Sequence, residues 1–244
     1  MSSRKESITF CSLLKGQSPL KIIYSENPGM NLIGDIHGNY QTLLALLNQM
    51  PDEEPVSVGD MIDRGPRSRK VLEFFMKHGR ALLGNHEHMM LDHLNGGGDY
   101  EWGLWFMNVG NATLASLGQN SSMDSLIQFV KGLPLWIRMD DLVVTHAPIQ
   151  RHWEVEDLSS TELLEQNHLE RGLLWNREDP VPREGVFQVF GHNGFRYRSV
   201  RFFSRRLLKR PETSFAACID TNLGRVLSGM HWPSRKVFVQ EYLD

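Results

Sequence analysis

Short apolar runs that stop abruptly at a polar group organise this chain. Asn31-Leu32-Ile33 leads into Gly34-Asp35-Ile36-His37-Gly38. Pro55-Val56-Ser57-Val58 leads into Gly59-Asp60-Met61-Ile62-Asp63-Arg64-Gly65, and Ala81-Leu82-Leu83 into Gly84-Asn85-His86-Glu87. Runs of this length bounded by glycine predict buried strands followed by tight turns. Between them, Leu43, Leu44, Leu46 and Leu47 give a helix face capped at Asn39 and ending before Pro51. Val71, Leu72, Phe74 and Phe75 give a second face, with Pro66 near its start and Gly79 closing it. Strands alternating with helices predict an α/β sheet with parallel strands in this half. Residues 86–131 read as mostly helical, broken by the glycines at 96–98, 110 and 118, and predict a helical insertion over one sheet edge.

Three further runs follow: Leu142-Val143-Val144, Val186 to Phe190, and Phe215 to Ile219. They stop at Thr145-His146, Gly191-His192 and Asp220, and the stretch from Val226 to Tyr242 reads as a closing hairpin. Leu20 to Tyr24 predicts one short strand in an otherwise aperiodic start. The expected organisation is an N-terminal extension over residues 1–30, lying on the surface of a single domain over 31–244.

Composition adds bounds rather than detail. The chain has 244 residues, 41% of them apolar and 23% charged, as expected of a globular protein with a sizeable core. A net charge of −3 argues against nucleic acid as the main partner. No apolar run reaches the 18 or so residues of a membrane helix, and no secretory leader pattern follows Met1, so a cytoplasmic location and no membrane partner are expected. Cys11 and Cys218 are too few for a disulfide framework and read as small buried hydrophobes.

The strand ends carry the chemistry. In α/β sheets functional groups gather outside the carboxyl ends of strands, and here those ends supply Asp35, His37, Asp60, Asn85, His146 and His192. Carboxylate, amide and imidazole donors together suit Mn²⁺, Fe or Zn²⁺ better than Ca²⁺. Six ligands exceed what one catalytic metal with a bound water needs. They fit two divalent ions sharing one carboxylate, and Asp60 is central among them.

The motifs Gly34-Asp35-Ile36-His37-Gly38-Asn39, Gly59 to Gly65, Gly84 to Met90, Thr145-His146-Ala147, Leu174-Trp175-Asn176-Arg177 and Phe190-Gly191-His192 resemble, in order, those of the calcineurin-like metallophosphoesterases. Within that superfamily the chain is most similar to the phosphoprotein-phosphatase branch, in its bacterial and phage lambda-type members. The resemblance implies two mixed β-sheets packed face to face and flanked by helices. It implies that Asp35, His37 and Asp60 hold one metal and that Asp60, Asn85, His146 and His192 hold the other, with Mn²⁺ expected. A metal-bridging hydroxide would attack phosphorus without a covalent phosphoenzyme. His86, oriented by Asp63, would donate the proton to the leaving group, and Arg64 and Arg177 would clamp the phosphate.

The implied substrates are phosphoserine or phosphothreonine proteins, with phosphotyrosine and small phosphoesters also accepted. The sister reading is symmetrical cleavage of diadenosine tetraphosphate, and a remote one is a metal-stabilised scaffold without activity. Sister enzymes typically carry Asp after Asn-His and lack the acid at the position of Asp63, so Glu87 and Asp63 favour the protein-phosphatase side. Asn193-Gly194 stands where Thr-Pro is usual, and Asp220-Thr221-Asn222 where Asp-Thr-Gly is usual. Both departures fall on the rim of the site and bear on substrate choice. The seven basic residues between Arg196 and Arg210 read as a solvated hairpin face or as an attractor for anionic substrates.

Overall fold

The computed structural model describes residues 23–24, 29–96, 105, 110–118, 122–159, 172–194, 196, 198–205 and 211–244. Two mixed sheets pack face to face, as the resemblance implies. One sheet has five strands in the order β11-β10-β2-β3-β4, the other six in the order β1-β5-β6-β7-β9-β8. The first comprises β2 (Met30–Ile33), β3 (Glu54–Ser57), β4 (Arg80–Ala81), β10 (Val226–Trp232) and β11 (Lys236–Glu241). The second comprises β1 (Ile23–Tyr24), β5 (Trp136–Met139), β6 (Leu142–Thr145), β7 (Phe187–Phe190), β8 (Arg201–Ser204) and β9 (Ser214–Cys218). Strands β2, β3 and β4 run parallel, as do β6, β7 and β9. Each parallel set therefore delivers its C-terminal ends to the same rim.

Met30, Leu32, Val56 and Val58 of the five-stranded side meet Ile137, Leu142, Val144, Val189 and Ala217 of the other in one buried cluster. The opposite face of the five-stranded sheet is covered by α1 (Tyr40–Leu47), α2 (Ser68–His78), α3 (Asn85–Leu94), α4 (Gly110–Leu117) and α5 (Ser122–Lys131). This two-sided burial is why the parallel strands read as continuous apolar runs instead of alternating ones. The one polar residue inside β2, Asn31, donates its amide NH₂ to the carbonyls of Pro51 and Glu53 at 2.8 and 3.2 Å.

Several local expectations change. Asn39 occupies the N-cap position of α1, but its amide turns back to the carbonyls of Ile36 and His37 instead of capping. The free N–H groups of Gln41 and Thr42 are taken by the carboxylate of Asp244 at 2.9 and 3.3 Å, with Arg67 closing the cluster at 2.7 Å. Helix α2 begins at Ser68, two residues after Pro66. Strand β5 was not expected, and β8 was expected only as part of a solvated hairpin face. Strand β8 lies inside the basic stretch, where Arg198 pairs with Glu241 and Arg201 with Asp179. Tyr197, Arg206, Lys209 and Arg210 lie outside the described residues, as does most of the expected N-terminal extension. Ile23–Tyr24 pairs parallel with β5 at the sheet edge.

Candidate metal centre and active site

All six expected ligand side chains come to one buried point outside the C-terminal ends of the parallel strands. Asp35, His37, Asp60, Asn85, His146 and His192 are each at most 6% exposed. Asp60 is the hub. It shares one group of ligand atoms with His37 and His86 and another with Asp35 and His146, all within 4.8 Å of one another in each group. Asp60 Oδ1 stands 3.4 Å from His146 Nε2, and Oδ2 stands 3.7 Å from His37 Nε2. Asn85 Oδ1 lies 2.9 Å from His146 Nε2 and 3.0 Å from His192 Nδ1.

The second ring nitrogens of His37 and His146 are committed elsewhere. His37 Nδ1 is 2.9 Å from the Ile62 carbonyl and His146 Nδ1 is 2.9 Å from the Val58 carbonyl. A carbonyl can only accept, so both rings carry the proton on Nδ1 and present a lone pair on Nε2.

The turns that deliver these groups need unusual backbone. His37, Asp60, Asp63, Arg64 and His192 all have positive φ, between 48° and 70°. Gly59, with φ of 106°, brings the end of β3 against the end of β4. A side chain there would meet Gly84 Cα at 2.7 Å and His146 Nδ1 at 2.8 Å.

The electrostatics fit divalent cations. Burial and its Asp220 and Asp60 neighbours push the Asp35 carboxyl well above the usual range. Burial, together with the charges of His86 and Arg64, pushes His37 well down. Burial with His146 and Arg177 lowers His192 to about 2. Burial also lowers His146. Neutral imidazoles are the ligating form, and a cation would relieve the crowding of the Asp35, Asp60 and Asp220 carboxylates. The donor set therefore fits a pair of divalent ions on its chemistry.

His86 differs from its neighbours. Burial alone would lower it, but Asp60 and Asp63 outweigh that and raise its pKa. Its Nδ1 is 2.6 Å from Asp63 Oδ2, and its Nε2 faces Arg64 Nη2 at 3.3 Å and Asp60 Oδ2 at 3.8 Å. His86 therefore also stands at metal-ligand spacing from His37 and Asp60. Arg64 and Arg177 are exposed at the rim. Arg64 Nη1 donates to Asn222 Oδ1 at 3.2 Å, and Arg177 Nη1 to the His192 carbonyl at 3.4 Å. The unusual Asn222 is thus seated on one of the two expected clamp residues.

Glu87 takes a part the sequence did not suggest. It is fully buried, and its carboxylate accepts four backbone N–H groups: Asp60 and Gly84 on Oε2, both at 2.9 Å, and Met61 and Ile62 on Oε1, at 2.8 and 3.2 Å. It braces the Asp60 loop from within the core. Asp220, expected as a strand end and as part of the rim, is also buried, and it accepts the Asn222 N–H at 3.0 Å. Trp105 and Thr113, which end no strand and so gave no signal, donate to the Asp63 carboxylate.

Comparison with known proteins agrees with this architecture. The symmetrical bis(5'-nucleosyl)-tetraphosphatase of Erwinia tasmaniensis is 35% identical over 134 residues, covering 51% of this chain and 46% of the relative. The alignment thus spans about half the length of the curated relatives it matches. The crystal structure of a candidate diadenosine tetraphosphatase superposes with a TM-score of 0.64 at 18% identity, over 93% of this chain and 100% of that one. A cold-active protein-tyrosine phosphatase from a Shewanella species superposes with a TM-score of 0.62 at 16% identity, over 92% of this chain and 81% of that one. No helix among the described residues is long and apolar enough to cross a membrane. Residues 31–229 match the calcineurin-like phosphoesterase family, a span that holds every strand end of the site, and the chain belongs to that family.

Proposed function

We propose that this protein is a metal-dependent phosphoesterase whose main substrates are phosphomonoesters, foremost phosphoserine and phosphothreonine in proteins. The observation that carries this reading is the His86–Asp63 pair, 2.6 Å apart, with His86 Nε2 turned to the ligand cluster. A serine or threonine alkoxide is a strongly basic leaving group and needs a proton in the transition state. The nucleoside diphosphate released from a dinucleotide is weakly basic and needs none. A raised, carboxylate-oriented imidazole is the group that such a proton requires.

In this reading Asp35, His37 and Asp60 hold one divalent ion, and Asp60, Asn85, His146 and His192 hold the second. When bound, the ions supply Lewis acidity and an activated water. Arg64 and Arg177 bind the phosphate oxygens from the rim, where the planar guanidinium suits two oxygens at once. His86 holds the proton at Nε2 for the departing oxygen, and Asp63 keeps the ring oriented through Nδ1.

A second reading, symmetrical hydrolysis of dinucleoside tetraphosphates, is favoured by the curated relatives, which carry that name. A hydrolysis panel in Mn²⁺ separates the two, using p-nitrophenyl phosphate, phosphoserine and phosphotyrosine peptides, and diadenosine tetraphosphate. The expected result is higher kcat/KM on the phosphomonoesters. A clear preference for the dinucleotide overturns the main reading in favour of the second.

A further inference from the structure

The Asp63 carboxylate is held by more than His86. It is 0% exposed, and its two oxygens take three donors. Oδ2 receives His86 Nδ1 at 2.6 Å and Trp105 Nε1 at 3.0 Å, while Oδ1 receives the hydroxyl of Thr113. Thr113 grips the residue a second time, because its Oγ1 accepts the Asp63 N–H at 2.8 Å, and Ser68 Oγ sits 3.1 Å from both that N–H and Thr113 Oγ1. The proton count closes. The threonine hydroxyl donates once, to the carboxylate, and accepts from the amide and from the serine. Trp105 is seated in turn by His93, ring centroids 5.0 Å apart, and by Gly110, where any side chain would collide with the indole.

These partners come from far along the chain. Trp105 and Thr113 lie 42 and 50 positions after Asp63, in the stretch between the strands and on helix α4. A buried anion needs donors to be tolerated, and three of them leave it a single orientation.

We propose that Trp105 and Thr113 are positioning residues for proton donation, fixing the Asp63 carboxylate so that His86 keeps Nδ1 anchored and Nε2 aimed at the leaving-group oxygen. This rests on the phosphomonoesterase reading above and extends it, since it gives the helical stretch a part in the chemistry and not only in covering the sheet. The positioning acts through Asp63 and His86, so it matters in proportion to the proton demand of the leaving group. A purely structural role would slow every substrate alike.

The test uses the full chain loaded with Mn²⁺ and two phosphomonoesters that differ in leaving-group basicity, p-nitrophenyl phosphate and phenyl phosphate. Removing a general acid outright commonly costs about 10²–10⁴ in rate. A misaligned acid should cost less, so Thr113→Val and Trp105→Phe should each lower kcat on phenyl phosphate by about 10–100-fold and on p-nitrophenyl phosphate by no more than about threefold. Thr113→Ser, which keeps the hydroxyl, should restore most of the loss, and it also reports if Thr113→Val fails to fold. Mn²⁺ affinity by calorimetry should stay within about twofold, since no metal-facing donor is touched.

Equal losses on the two esters, or none, overturn the proposal. His86→Asn serves as the reference. If His86→Asn shows the leaving-group dependence and the Thr113 and Trp105 variants do not, this proposal fails alone. If His86→Asn shows none, or the wild-type protein turns over neither ester, the underlying reading fails with it.

Discussion

Replacing Glu87 with Gln removes half of the acceptor capacity that braces the Asp60 loop. The native carboxylate takes the N–H groups of Asp60, Gly84, Met61 and Ile62 at 2.8–3.2 Å. A glutamine amide keeps one acceptor oxygen and turns its NH₂ toward the other pair of donors. Two buried N–H groups are then left without acceptors, at about 1–3 kcal/mol each, or about 2–6 kcal/mol together. That is a large share of the about 5–15 kcal/mol that holds a typical domain folded. Asp60 belongs to both ligand groups, so loosening its loop disturbs both at once. Urea unfolding of the metal-free variant should show the stability loss, and a Mn²⁺ titration by calorimetry should show weakened binding.

The companion change, Glu87→Asp, keeps the carboxyl group but shortens the reach by one methylene. It should weaken the same two quantities while leaving the ranking of phosphopeptide against diadenosine tetraphosphate unchanged. Wild-type stability and metal affinity in Glu87→Gln, or a changed substrate ranking in Glu87→Asp, would refute the bracing argument.

Other outcomes follow from single contacts. Asp244→Ala should cost about 0.5–2 kcal/mol, the usual worth of an N-cap, because its carboxylate serves Gln41 and Thr42 at the start of α1. Burial alone would raise the Asp244 carboxyl, but the Gln41 and Thr42 donors and Arg67 outweigh it and lower it. Its folded pKa thus lies below the unfolded one, so the stabilisation is full above the unfolded aspartate value of about 3.9 and fades as pH falls through the folded value. Asp244→Asn should accordingly lose stability at neutral pH and converge on wild type in acid; a gap that widens in acid argues against the cap. Gly191→Ala would drive a methyl group into Asp35 Oδ1 and put it 2.7 Å from Val58 Cγ2, so it should weaken Mn²⁺ binding more than it lowers the urea midpoint. Asn222→Gly frees Arg64 Nη1 and should raise KM for p-nitrophenyl phosphate more than it changes kcat; an unchanged KM removes Asn222 from the clamp.

The candidate ligands were legible because each is a polar residue where an apolar run stops, a pattern visible without any partner. The parallel strands were legible for the same reason: burial on both faces leaves an unbroken apolar run. What stayed hidden depends on residues far apart in sequence. Asp244 caps a helix that starts some two hundred positions earlier, and Asn39, the local candidate, spends its amide on neighbouring carbonyls. Glu87 looked like part of a signature when it is a brace, because nothing in Asn-His-Glu says which loop its carboxylate will meet. The bounds of β8 were blurred by the arginines around Phe202 and Phe203 within the expected hairpin face, and β5 was hidden by the absence of any alternation in Trp136-Ile137-Arg138-Met139. Thr113 and Trp105 sit in a stretch with no strand end to mark them.

The hidden contacts explain how the legible ones are held in place. Among the described residues, seven non-glycine positions have positive φ, and five of them are His37, Asp60, Asp63, Arg64 and His192. A side-chain-bearing residue in that region costs about 1–3 kcal/mol, so the site stores several such costs within a few loops. The offsets come from other segments, helices as well as loops, in each case where a partner is seen. The His37 N–H is held by the Asp60 carbonyl at 2.9 Å, and the Asp60 N–H by Glu87. Thr113 and Ser68 hold the Asp63 N–H, and Asp35 holds that of His192. No loop therefore stands strained on its own account, and a brace removed from one is felt by the candidate ligand on the next. Paired removals should consequently fail to add. In a double-mutant cycle, Glu87→Asp and Thr113→Val act on adjacent segments of the Asp60–Arg64 turn, and they should show a coupling energy of about 0.5–3 kcal/mol in urea unfolding. Strict additivity would mean that Asp60 and Asp63 are held independently, and the turn would then have to be read as two separate devices that happen to be adjacent in sequence.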